Sequence, residues 1–295
     1  MIGLLDEWMI GVEFKGTYAS IQQSIHSIIH GTTVEKIMDD TKSVPVIQAI
    51  DLTVGYGGTI VLENINFAID KGEIFVIIGG SGCGKSTILK HLIGLYEPMS
   101  GDILVNGKSI VKATPSERRG MMRTFGVLYQ SSALFSALSI AENIALPIEE
   151  YTNLSEDEIC DRVNEKLSLV GLDGVGSKMP SELSGGMKKR AALARAMALD
   201  PEILFFDEPS TSLDPVTAAM LDRLIIDLRN RLGTTMVIVT HDLDSIFAIS
   251  DRVIMLDKET KSVIARGKPS EIRKDNPDPT VKEFLFRSGL ARKMD

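Results

Sequence analysis

The sequence predicts an α/β fold: a mostly parallel sheet core with an antiparallel β subdomain and a helical subdomain. Three observations carry that expectation. Apolar segments of strand length, "EIFVIIGG", "EILFFDE" and "TTMVIVTHD", alternate with helical segments, the pattern of a parallel sheet covered on both faces. The stretch "VIQAIDLTVGYGGTIVLENINFAI" alternates apolar and polar residues around glycine turns, as antiparallel strands do. From about Ser139 to Lys178 the chain turns helical and charged, which marks a helical insertion.

Taken in order, residues 1–44 stand apart. Ile21, Ile25, Ile28 and Ile29 fall at helical spacing, so an amphipathic helix is expected there. It either packs on the main domain or docks on a partner; "TKSVPV" after it reads as a linker. The main domain is expected over 45–267, its helical subdomain over about 131–190, and a helical tail over 268–295. "GDILVNGKSI" reads as a hairpin turning at Asn-Gly. After Ser184 the order is helix, strand, helix, strand, helix, strand.

At 295 residues and 44% hydrophobic content the chain is long enough to bury a real core. A net charge of −8 disfavours a nucleic-acid binder, which needs a basic footprint. Two cysteines, Cys83 and Cys160, are too few for a disulfide framework. No apolar run reaches the roughly 18 to 20 residues that cross a bilayer. Asp6, Glu7 and Glu13 occupy the region where a secretion signal needs positive charge. A soluble, cytosolic chain is expected, with any membrane role exerted through a partner.

The chemistry concentrates in a few motifs. "GGSGCGKST" comprises Gly79, Gly80, Ser81, Gly82, Cys83, Gly84, Lys85, Ser86 and Thr87 and lies between a strand and a helix. It fits G-x-x-x-x-G-K-[ST], in which backbone N–H groups converge on phosphate oxygens at a helix N-terminus. Lys85 is expected on the β- and γ-phosphates and Ser86 on Mg²⁺. "ILFFDEP" ends an apolar strand in two acids: Asp207 for the Mg²⁺ shell, and Glu208 to polarise the attacking water. His241 ends the next strand, where it would reach the γ-phosphate and the water. Gln130 lies near another strand end, and its neutral amide can sense both metal and water. Tyr56, on a glycine-flanked loop, suits stacking on adenine. Cys83, beside a helix N-terminus, is expected to have a lowered pKa and to be blocked by alkylation unless ATP protects it.

A second phosphate-binding stretch follows, "LSGGMKKR", with Ser184, Gly185 and Gly186 opening a helix. One chain with two such loops is best read as sharing two nucleotides with a twin. Two copies facing head to tail would each close the partner's ATP with the loop at 184–186. Asp214, in "STSLDP", would sit at the seam between them.

With these elements in order, the chain from about Val46 to Gly267 resembles the ATP-binding cassette (ABC) ATPases, a branch of the P-loop NTPases. The resemblance rests on "GYGG", "GGSGCGKST", "YQ", "LSGGM", "ILFFDEPSTSLDP" and "THD". It implies ATP and Mg²⁺ as ligands, with Tyr56 stacking the adenine and Gln130 joining Asp207 in the Mg²⁺ shell. It further implies Glu208 as catalytic base and His241 as switch histidine. Met187 departs from the usual Gln of the signature, which leaves the backbone phosphate contacts intact. "YQSSALFSALSIAENIALPI", "PSELSGGMKKR" and "NPDPTVKEFL" further resemble the ATPase subunits of Mla-type phospholipid transporters. That similarity implies a homodimer under integral-membrane permease subunits, at the cytoplasmic face of the inner membrane, with an MCE-domain lipid-binding partner. The region from Gln130 to Tyr151 would receive the permease. A transporter for another solute stays open. A non-transport cassette in DNA repair or translation is disfavoured by the single cassette, the absent coiled coil and the acidity. A regulatory switch is opposed by Glu208 and His241.

Overall fold

The computed structural model describes residues 44–291, with side chains described through 286. The helix expected around Ile21 to Ile29 lies outside the described residues. The chain from Val44 begins with β1 (Ile47–Tyr56) and β2 (Thr59–Ile69), an antiparallel pair. Gly57 and Gly58, at φ of 54° and 82°, make the turn between them, a conformation L side chains resist. β4 (Ser100–Val105) pairs antiparallel with β1, and β5 (Lys108–Ser109) closes a hairpin through Asn106-Gly107. These four strands form one sheet, ordered β2-β1-β4-β5.

The second sheet positions the site. It contains β3 (Ile74–Gly79), β6 (Phe125–Leu128), β7 (Ile203–Asp207), β8 (Thr235–Val239), β9 (Arg252–Leu256) and β10 (Val263–Gly267). Their order is β10-β9-β3-β8-β7-β6, parallel except for β10. Every residue of β3, β7 and β8 is buried, which explains their unbroken apolar sequences. The period-two alternation of a strand divides them between two cores. Ile74, Val76, Ile78, Leu204, Phe206, Met236 and Ile238 face one core. Phe75, Ile77, Ile203, Phe205, Val237 and Val239 face the other, against β1, β2 and the helix α1 (Lys85–Leu92).

Three helices start on capping boxes that the sequence spells out. α2 (Pro115–Met122) starts on Thr114 with Glu117, α3 (Ile140–Tyr151) on Ser139 with Glu142, and α4 (Glu156–Leu169) on Ser155 with Glu158. α3 and α4 pack with α5 (Gly185–Ala196), whose N-cap is Ser184. Asn143 on α3 is fully buried and holds the preceding loop, accepting from Phe135 N and donating to the carbonyls of Phe135, Leu138 and Ser139. α6 (Pro215–Leu232) and α7 (Leu243–Ile249) cover the sheet. In α8 (Pro269–Asp275) and α9 (Pro279–Ala291), Ile272, Val281 and Leu285 join the same core. Among the described residues, no helix is long and apolar enough to cross a membrane.

Asp222 on α6 is a buried acid at the junction with α7. Ser245 Oγ donates to its carboxylate at 2.8 Å. Burial, reinforced by the negative charges of Asp242 and Asp244, pushes its pKa up to about 6 against the Ser245 hydrogen bond. A carboxyl whose folded pKa lies above its unfolded value of 3.8 contributes its full stability in acid and loses it as pH rises through about 6. Asp222→Asn is therefore expected to raise unfolding free energy at pH 8 by up to about 3 kcal/mol, with a smaller gain at pH 5. Urea unfolding at the two pH values measures this.

Candidate functional site

The motif residues hang from the C-terminal ends of adjacent strands. β3 ends in Gly79, β7 in Asp207 and β8 in Val239, and Asp207 is paired with Val239 in register. Gln130 follows β6 and His241 follows β8. Parallel strands so ordered converge their C-terminal ends on one crevice, which brings together Lys85, Ser86, Asp207, Glu208 and His241 from distant parts of the sequence.

The glycine loop is shaped by its backbone. A Cβ on Gly79, whose φ is 147°, would lie 2.4 Å from the Leu256 carbonyl oxygen and 2.6 Å from Cys83 Sγ. Gly84 takes φ of 101° as N-cap of α1. Gly80, Ser81 and Gly82 stay exposed, with open space beside both glycines. Lys85, only 9% exposed, folds over the loop and donates to the carbonyls of Gly79 (2.9 Å) and Gly80 (3.1 Å). Ser86 Oγ donates to Asp207 Oδ1 at 2.9 Å, so the two expected metal ligands already adjoin. Burial raises the Asp207 pKa, against the Ser86 hydrogen bond and the charges of Lys90 and Lys85.

Cys83 corrects the expectation placed on it. Its side chain is 2% exposed, and burial raises its pKa, outweighing the lowering by Lys85 and the loop amides. Its place in the loop lends the backbone, while the thiol belongs to the core under β3. Native chain at pH 8 is expected to take iodoacetamide at exposed Cys160 and to leave Cys83 unlabelled with or without ATP, as peptide mass mapping reads.

Glu208 sits at φ of 51°, held by its N–H donating to the Val239 carbonyl at 2.9 Å. Its carboxylate is nearly buried and accepts from His241 Nδ1 at 2.8 and 2.9 Å. An ionised carboxylate only accepts, so Nδ1 carries the proton. The imidazole side chain is otherwise 64% exposed, leaving Nε2 available to a ligand. Gln130 is exposed, and its carbonyl is taken by Lys189 Nζ at 2.6 Å.

Tyr56 ends β1, and its ring stands edge-on to Tyr96 at 5.3 Å and tilted to His91 at 6.2 Å. His91 lies on α1, fully buried, its Nδ1 on the Thr87 carbonyl at 2.8 Å; burial pushes its pKa down. The expected stacking ring is thus tied to the helix that begins at Lys85, and 39% of Tyr56 remains exposed for a base.

Ser184 Oγ caps α5 by accepting from Met187 N at 3.3 Å. A Cβ on Gly186 would lie 2.5 Å from Thr217 Cγ2, so glycine lets the start of α5 close on the start of α6. Asp214 caps α6, accepting from Val216 N (3.1 Å), Thr217 N (3.0 Å) and Thr217 Oγ1, which holds its pKa below the usual carboxylate range. The loop at 184–186 and Asp214 therefore adjoin on one surface of the chain, a juxtaposition that their spacing did not reveal. Sequence reasoning also passed over Lys189, whose one signal is a lysine at helical spacing with Ala192 and Leu193 on a buried face.

Comparison with known proteins gives a consistent set of relatives. The ABC transporter family profile matches residues 62–211. The "Probable ribonucleotide transport ATP-binding protein mkl" of Mycobacterium tuberculosis is 41% identical over 239 residues, 81% of this chain; the aligned part spans 66% of the mycobacterial protein's length. The "Intermembrane phospholipid transport system ATP-binding protein MlaF" of Escherichia coli K12 is 39% identical over 241 residues, 82% of this chain and 88% of MlaF. Among solved structures, cbiO1 from Clostridium perfringens, part of the ABC transporter complex cbiONQ, superposes with a TM-score of 0.73 at 31% identity, covering 85% of this chain and 98% of cbiO1. A dimeric ATP-binding cassette in a post-hydrolysis state, bound to ADP and Pi, gives 0.67 at 29% identity, covering 75% of this chain and 98% of that one.

Proposed function

The chain belongs to the ABC transporter family, and from that membership we propose that it is the ATP-hydrolysing motor subunit of a transporter moving phospholipid between bacterial inner and outer membranes. The observation that carries the reading is a pair of contacts at one sheet edge: Ser86 on Asp207, and His241 on Glu208. The first pair suits a metal, and the second suits a water.

In this reading the loop at 79–87 binds the phosphates through its amides, Lys85 turns its ammonium from the loop carbonyls to the β- and γ-phosphates, and Tyr56 stacks on the adenine. Ser86, Asp207 and Gln130 offer hydroxyl, carboxylate and amide oxygens, the donors that Mg²⁺ prefers. Mg²⁺ held there would supply positive charge to offset the negative charge that develops on the phosphates. Glu208 takes the proton of the attacking water. His241, oriented through Nδ1, presents Nε2 to the γ-phosphate side.

Ser184, Gly185 and Gly186 serve the partner copy's nucleotide, with Asp214 beside them at the seam, so the working unit is a homodimer. It sits peripherally at the cytoplasmic face of the inner membrane through permease subunits, with an MCE-domain protein as the further lipid-handling partner. The MlaF name supports the phospholipid cargo. The mycobacterial relatives, named for ribonucleotide transport, favour a second reading in which the same motor serves another solute. Tagged chain solubilised from membranes is expected to bring down integral-membrane subunits and phospholipid; a permease that arrives lipid-free and leaves ATP turnover unresponsive to phospholipid would favour the second.

A further inference from the structure

Lys189 stands on α5 one turn beyond Gly185 and Gly186, 5% exposed. Its Nζ donates to the Gln130 carbonyl at 2.6 Å and lies 3.5 Å from the Glu208 carbonyl. Those carbonyls follow two different strands, β6 and β7. Farther along the same helix, Arg195 donates to the carbonyls of Ala133 (2.8 Å) and Ser132 (3.2 Å). Ser132, Ala133 and Glu208 all hold left-handed backbones, at φ of 64°, 50° and 51°. Non-glycine residues keep that conformation only where their surroundings over-determine it. One helix thus grips the main chain that follows both β6 and β7.

We propose that Lys189 is a positioning residue for hydrolysis: its ammonium ties the main chain at Gln130 and Glu208 to the helix behind the 184–186 loop. The amide offered to the metal, the base offered to the water and the loop offered to the partner's nucleotide are then registered to one another within each chain. A flexible-stemmed ammonium suits this task because it donates in three directions and so serves carbonyls on separate strands. Lys85, which binds phosphate, lies outside this linkage. Binding and turnover are therefore expected to separate. The inference rests on the ATPase reading.

The test uses full-length wild type, Lys189→Met and Lys189→Gln, each measured for ATP Kd, kcat and thermal unfolding. Met fills the same space and leaves both carbonyls without their donor, and kcat is expected to fall about 10- to 100-fold, the worth of a charged hydrogen bond. ATP Kd should stay within about threefold, since uniform binding is untouched. Gln, which keeps N–H donors, should restore most of the loss at similar thermal stability. Unchanged kcat in Lys189→Met, or kcat and Kd falling together, overturns the positioning role. So does failure of both variants to fold, because a stabilising role then suffices. If wild type turns over ATP and only the Lys189 result fails, the ATPase reading stands alone; a wild type with no turnover, free or with its membrane partners, removes both.

Discussion

Glu208→Gln is expected to lower ATP turnover by roughly 10²- to 10⁴-fold, the usual contribution of a positioned general base, while ATP binding is retained. The substitution keeps size and shape and removes the carboxylate proposed to take the proton. The amide oxygen can still accept from His241 Nδ1, so the 2.8 Å contact that orients the imidazole need not be lost. With binding intact and hydrolysis blocked, ATP-dependent dimers should accumulate and be visible by size-exclusion chromatography with light scattering. Turnover at the wild-type rate in this variant would remove Glu208 as the base.

Lys85→Ala is expected to weaken ATP binding by roughly 10- to 100-fold, the range of a hydrogen bond from a charged group. Two effects combine. The phosphates lose their ammonium, and the Gly79 and Gly80 carbonyls lose the donor that closes the loop over itself. Isothermal titration with a non-hydrolysable ATP analogue reads the affinity. An unchanged Kd would show that the loop amides suffice and that Lys85 acts elsewhere.

Much of the fold was legible because burial writes itself into apolar patterning. β3, β7 and β8 are buried on both faces and read as unbroken apolar strings. The convergence of Ser86 with Asp207 followed from strand ends in a parallel sheet, which sequence order already implies. What sequence could not supply were contacts set by side-chain reach across elements. Lys189 crosses from α5 to two strand ends, and His241 lands on Glu208 33 residues away. Cys83 shows the opposite failure. A helix N-terminus argues for an activated thiol, but the backbone turns its sulfur beneath Gly79, where burial outweighs the local positive charge.

The account depends on each chamber being built by two chains, and mixing two complementary variants, at an ATP concentration too low for either alone to turn over, tests this most directly. Lys85→Ala lacks a working phosphate loop but keeps its 184–186 loop; Ser184→Arg is damaged in the reverse sense. Mixed in equal amounts, they should form hybrid dimers with one intact chamber and recover about one quarter of wild-type ATP turnover, as random pairing of symmetric dimers requires. Turnover that stays at the level of the separate variants at every mixing ratio, although hybrids form, would contradict it.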